Sequence, residues 1–220
     1  MIAPDTEEIA VGLDIGAIHT AEALLLARFF MYSQVYLHDV RRVYDLHLKE
    51  FLQAWLKEGK FSCDWKELLK MTDHEVLVAM RGDASDPASE RHELAARVLN
   101  REHYRTAYEL MAPHKKKRPA IFQELLQYAK DGFGTENVRS DSYGPKSETN
   151  DFPVLMDDGT VESSLQVSSV ISNVPPIDIG LIFVARQFKD DAKSKLAAKT
   201  RSLLFDDKKA PRQPGGKNGV

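Results

Sequence analysis

The chain has 220 residues, 43% of them apolar and 29% charged, with a formal net charge of -3 and one cysteine. That is enough apolar material for one large domain or two small ones, and it lacks the strong basic excess of a dedicated nucleic-acid binder. A lone thiol, Cys63, excludes an internal disulfide and fits a reducing compartment. The opening MIAPDTEEIA has neither the basic nor the apolar segment of a secretory signal. The apolar run from Ala23 to Leu37 carries Arg28 and Gln34 and is too short and polar to span a bilayer. The expectation is a cytoplasmic protein with no membrane partner and no nucleic-acid partner.

Residues 1–16 are Gly-punctuated, and IAVGLDIG reads as a strand or extended lead-in. From Ala17 to Glu58 there is no Gly or Pro, which predicts one helix of roughly forty residues, about 60 Å long. Its first half, ALLLARFFMYSQVYL, is apolar on nearly every side and reads as buried all round; its second half turns amphipathic through Val40, Val43, Tyr44, Leu48, Phe51, Leu52 and Trp55. Cys63–Leu69 reads as a short helix. Thr72 with Glu75 forms a capping-box pattern ahead of HEVLVAMRG. A turn at Asp83–Pro87 leads to a charge-laced segment, Ser89–Met111, predicted helical up to Pro113. Pro119 opens AIFQELLQYAKDG, which closes at Gly132. Residues 132–150 are poor in apolar side chains and read as a connector.

A different pattern follows. FPVLM and the segment after Asp158-Gly159 predict a hairpin, Ser164–Ile171 a short helix, IDIGLIFVA a strand and Arg186–Leu204 a last helix. The tail from Asp206 reads as disordered. The fold class predicted is mostly α, a long buried helix in a helical bundle with a small C-terminal α+β lobe. The expected division is a helical region 1–131, a connector 132–150, a lobe 151–205 and a tail 206–220.

Several motifs invite chemistry. VGLDIGAIHT resembles the start of the sugar-kinase and actin-type ATPases, but a strand leading into a helix explains it as well. His38-Asp39 suggests the His-Asp pair of metal phosphohydrolases, with His19 and Asp73 as further ligands. Arg41 and Arg42 beside that pair would repel a cation. His47, His74, His92, His103 and His114 occur singly and read as surface or capping residues. HKKKR at 114–118 reads as a solvated connector.

Arg28, Tyr32 and Tyr36 stand at i, i+4 and i+8 and share one helix face. A guanidinium in an apolar turn calls for an anion, and two phenol rings beside it offer flat faces for a sugar or base. The other reading is an Arg paired to a carboxylate across a bundle, with the tyrosines filling core.

GAIHTAEALLLARFFMYSQVYLHDVRRVYDLHL resembles the segment AxxxLxARxxMYxQVYxHxxxR of HD-domain deoxynucleoside triphosphate triphosphohydrolases, the dGTPase-like and SAM-and-HD-domain enzymes. REHYRTAYEL at 101–110 resembles a family helix that contains an Arg. DFPVLMDDGTVESSLQVSSVI with IGLIFVARQFKDDAKSKL resembles the small C-terminal lobe. The resemblance implies that Arg28 reaches the substrate triphosphate, that Tyr36 packs on deoxyribose, and that Tyr32 faces the same pocket. It places His38 and Arg105 at a regulatory nucleotide site or interface. Asp39 and Glu109 stand where activated members carry lysines, which disfavours a triphosphate there. In the family the metal-binding HD core lies upstream of this segment. The chain is therefore expected to be a truncated C-terminal half with no catalytic or metal-binding residue and no cofactor of its own; a divalent metal of Mg, Mn or Fe type is expected only in the complete enzyme. The expected partners are a deoxynucleotide and either a second copy or an HD-domain chain. A non-enzymatic helical oligomerisation or nucleotide-binding module is the alternative.

Overall fold

In a computed structural model, residues 11–144 and 151–205 are described; the expected tail 206–220 lies outside them. The chain is mostly helical, with two three-stranded sheets, in agreement with the predicted class. Two compact units share the chain: residues 11–42, 142–144 and 151–179 form one, and 43–141 with 180–205 form the other.

The first unit is built on α1 (Ile18–Met31), entered through the two-residue strand β1 (Leu13–Asp14). β1 pairs in parallel with β4 (Pro153–Leu155), and β4 pairs antiparallel with β5 (Val161–Ser163). Gly159 has φ 81° in the connecting turn, a conformation that glycine adopts freely, and this confirms the hairpin. The helix predicted over 164–171 forms as two short pieces, α8 (Ser164–Val167) and α9 (Ser169–Asn173), each capped by a serine. The core is Ile18, Val154 and Ile171, with Leu25, Phe152 and Leu165 packed against it.

The second unit has two cores. In one, α2 (Asp39–Trp55), α4 (Asp73–Ser85) and α5 (His92–Leu99) meet at Phe51, Met80 and Ala95. The Thr72–Glu75 capping box starts α4 as predicted. A single turn, α3 (Trp65–Leu68), capped by Asp64, precedes it. In the other core, α7 (Ile121–Phe133) and α10 (Lys189–Phe205) cover a sheet ordered β2 (Arg105–Glu109), β6 (Ile179–Val184), β3 (Val138–Tyr143). α7 buries Ile121, Phe122, Leu125, Leu126 and Ala129, the stripe that a 3.6-residue period demands. α10 buries Ala192, Leu196, Thr200 and Leu204, every fourth residue. β6 is central and apolar along its length, which suits a strand covered on both faces.

Five expectations need correction. The forty-residue helix is two helices: α1 passes into a π-helical turn, Tyr32–Tyr36, where the Leu37 amide donates to the Tyr32 carbonyl at 2.9 Å, and Leu37 (φ -110°, ψ 13°) ends it. No Gly or Pro marks the break; the Val40 amide, donating to Asp39 Oδ1 at 2.7 Å and His38 Nδ1 at 3.3 Å, starts α2 afresh. The first half is not buried all round, because in α1 only Ile18 is buried, whereas Leu24, Phe30 and Met31 are exposed. The segment predicted helical over 89–111 stops at Leu99; Arg101 takes φ 59°, and 105–109 become β2, because β6 offers them an antiparallel ladder (Arg105↔Val184, Glu109↔Leu181). The expected connector 132–150 contains a 3-10 turn, Thr135–Asn137, and strand β3; its residues 145–150 lie outside the described ones. Consequently 151–205 is not one lobe: β4, β5, α8 and α9 belong to the first unit and β6 and α10 to the second. A short helix, α6 (Ala112–Lys117), carries most of the HKKKR run.

Candidate functional site

Within the first unit, the structure brings together Arg28, Tyr32 and Tyr36. The Arg28 guanidinium lies 5.5 Å from the Tyr32 ring centroid, and Tyr32 meets Tyr36 edge-on at 5.3 Å. Arg28 is exposed and Tyr36 is 42% exposed. Among the described residues no carboxylate pairs with Arg28, so the arginine is not spent on an internal ion pair. The π turn changes which residues share a face, since one extra residue per turn rotates everything after it. It keeps Tyr32 and Tyr36 in ring contact and turns the chain before α2.

Two further members were missed from sequence. Arg41 places its guanidinium 5.2 Å from the Tyr36 ring, so a cation flanks each end of the tyrosine pair. Tyr143, over a hundred residues away in sequence, sits 6.3 Å from Tyr32. Arg41 was legible as a neighbour of the pair; nothing local to Tyr143 announces it. The surface so assembled is chemically amphipathic: two forks of N–H donors for anionic oxygens and three phenol rings for flat groups.

His38 lies between the helices rather than deep inside one, with 54% of its side chain exposed; its Nδ1 is 3.2 Å from Asp39 Oδ1. Both atoms also accept from the Val40 amide, so the pair works as a local cap. Among the described residues no three His, Cys, Asp or Glu side chains converge as a metal site would. The donor set of the described residues therefore does not fit the divalent metal of an HD centre. His19 instead pairs with Glu22 at 2.8 Å, and hydrogen bonds from His19 and from Ser168 at 2.5 Å hold the Glu22 carboxyl below its ordinary pKa.

Arg105 belongs to the second unit. It donates to His103, whose pKa is lowered by burial and by the Arg105 charge, so the neutral ring accepts through Nε2. The same unit holds a polar hub that sequence reading also missed. His47, read as a surface residue, is fully buried. Its Nε2 accepts from the Tyr104 amide at 3.1 Å, which puts the proton on Nδ1, directed at Glu50 Oε2 3.2 Å away. Glu50 also receives Arg139 and, at 3.5 Å, Arg97. Burial works against its charge, yet the His47 and Arg139 hydrogen bonds prevail and bring its pKa down to about 2.

This chain belongs to the HD-associated region family, whose model matches residues 5–124. Among solved structures it is similar to a hypothetical protein from Aquifex aeolicus, at 26% identity and a TM-score of 0.69 over 87% of this chain and 48% of that one. It shares its fold with a phosphohydrolase from Bacteroides thetaiotaomicron, at 15% identity and a TM-score of 0.53 over 82% of this chain and 53% of that one. The chain thus spans about half the length of each. No curated protein matches it in sequence. Among the described residues no helix is long and apolar enough to cross a membrane.

Proposed function

We propose that this chain supplies the substrate-binding wall of an HD-type phosphohydrolase that acts on deoxynucleoside triphosphates, releasing the nucleoside and triphosphate. Arg28 takes the triphosphate, Tyr36 packs on the deoxyribose and Tyr32 lies between them. The observation that carries the reading is the exposed Arg28–Tyr32–Tyr36 array, whose guanidinium has no carboxylate partner among the described residues. Membership of a family described as HD-associated supports it, as does the shared fold with a phosphohydrolase twice as long. The divalent metal belongs, on this reading, to an HD domain that covers the exposed apolar residues Leu24, Phe30, Met31 and Val35. His38 and Arg105 act as interface residues, each in its own unit; Asp39 and Glu109, acidic where activated members carry lysines, disfavour a regulatory triphosphate.

Calorimetry with each of the four dNTPs tests this. Binding is expected, weakened by at least roughly tenfold in Arg28→Ala, since a charge-assisted hydrogen bond contributes about 1.5–3 kcal/mol. Purified chain with dGTP and Mn²⁺ should release no tripolyphosphate. Binding that is absent, or indifferent to Arg28, refutes the reading. The same exposed apolar residues support a second reading, a non-enzymatic module that pairs with its own copy. Sedimentation decides between them: a stable dimer that binds no dNTP favours the module.

A further inference from the structure

A cavity of about 550 Å³ opens in the second unit; its walls include Glu93, Arg97, Glu102, Tyr104, Arg186 and Gln187. Its size falls in the range of small-molecule sites, roughly 300–1,000 Å³. Its Tyr104 wall is rigid. Tyr104 is 4% exposed, its ring lies 4.9 Å from the Arg97 guanidinium and 5.4 Å from that of Arg139, and its hydroxyl donates to the Glu136 carbonyl at 2.7 Å. A wall held by two cations and a hydrogen bond does not relax inward to fill the space. His103 and Arg105, which are bonded to each other, do not line it.

The charges in this cavity are only partly paired. Arg97 pairs with Glu50 at 3.5 Å and with Glu93 at 3.4 Å, one long contact from each terminal nitrogen, which leaves three of its five N–H donors for a ligand. Arg186 and Glu102 line the same cavity, and neither forms an ion pair with the other or with any described residue. The wall therefore carries two guanidiniums and two carboxylates that do not neutralise one another completely. A simple anion would meet Glu93 and Glu102, and a simple cation would meet Arg97 and Arg186. Each is penalised by like charge. A molecule with both characters is not. We propose that this cavity binds a small bipolar ligand. Its carboxylate or phosphate is taken by Arg97 and Arg186, and a group of N–H donors is taken by Glu93 and Glu102. Amino acids and nucleoside monophosphates share this chemistry.

The test is calorimetry on the full chain with four probes: L-glutamine, GMP, inorganic phosphate alone and spermidine alone. L-glutamine or GMP binds, and which of the two binds identifies the source; phosphate and spermidine do not. Arg186→Glu and Glu102→Lys, both at exposed positions, each weaken that binding by at least roughly tenfold. Circular dichroism on both variants checks that they fold. Phosphate or spermidine binding as tightly as the bipolar probes overturns the proposal, as does binding of none of the four. GMP binding that is lost in Arg28→Ala but intact in Arg186→Glu belongs to the other unit and overturns it too.

Discussion

Replacing Glu50 by Gln removes a carboxylate on which His47, Arg97 and Arg139 meet. The side chain is 22% exposed, so water screens it only in part. Its pKa of about 2 stands against an ordinary value of 4.5. At roughly 1.4 kcal/mol per pKa unit, that gap is on the order of 3 kcal/mol. Residual solvent access and the hydrogen bonds that a Gln carbonyl retains reduce the expected loss to about 2 kcal/mol at neutral pH. The sign follows from the direction of the shift. A carboxyl whose folded pKa is depressed stabilises the fold above its unfolded pKa, about 4.5, and that contribution drains away as pH falls toward about 2. The two tryptophans, Trp55 and Trp65, lie in the same unit as Glu50, so urea unfolding followed by their fluorescence reports on it. All other carboxyls titrate alike in both proteins and cancel in the difference. Wild type should exceed Glu50→Gln by about 2 kcal/mol at neutral pH, with the curves converging below pH ~4. An equal gap at every pH, or none at neutrality, would show that the hub does not hold Glu50 as argued.

Two other perturbations probe the framework. Thr72→Ala removes the cap whose backbone amide and side chain close the box with Glu75, and should cost about 1 kcal/mol in the same urea experiment; no change would mean that the first turn of α4 is held by packing alone. Gly180→Ala puts a methyl 2.8 Å from the Phe122 ring and 3.1 Å from Leu110 Cβ, against central strand β6. It should lower stability by about 1–3 kcal/mol, read as a fall in melting temperature; an unchanged midpoint would show that the α7–β6 contact is loose.

What could be read in advance divides along the range of the interactions involved. The capping box at Thr72, the Asp158-Gly159 hairpin, the helical stripe of α7 and the apolar run of β6 are all local patterns, where neighbours a few residues apart fix the conformation. The Arg28–Tyr32–Tyr36 array was legible for the same reason, since side chains four residues apart meet on a helix. The His38-Asp39 dipeptide shows how one short motif serves two chemistries: a polar pair with oxygen and nitrogen acceptors marks a helix start as well as a metal site, and here it caps α2. Tyr143 could not be placed beside Tyr32, nor His47 beside the Tyr104 amide, because each contact closes a loop of more than fifty residues.

The sequence by itself determined where helices and turns nucleate and that Arg28 of α1 shares a guanidinium–phenol face with Tyr32 and Tyr36 just beyond it, because periodicity and capping act within a turn or two. Only the tertiary structure decided that residues 105–109 pair as a strand and that 151–205 divides between two units. It also decided that His47 is buried against a half-buried Glu50 while Leu24 and Phe30 are exposed. Burial and strand pairing are properties of what the rest of the chain presents at a point in space, and no window along the sequence contains that information.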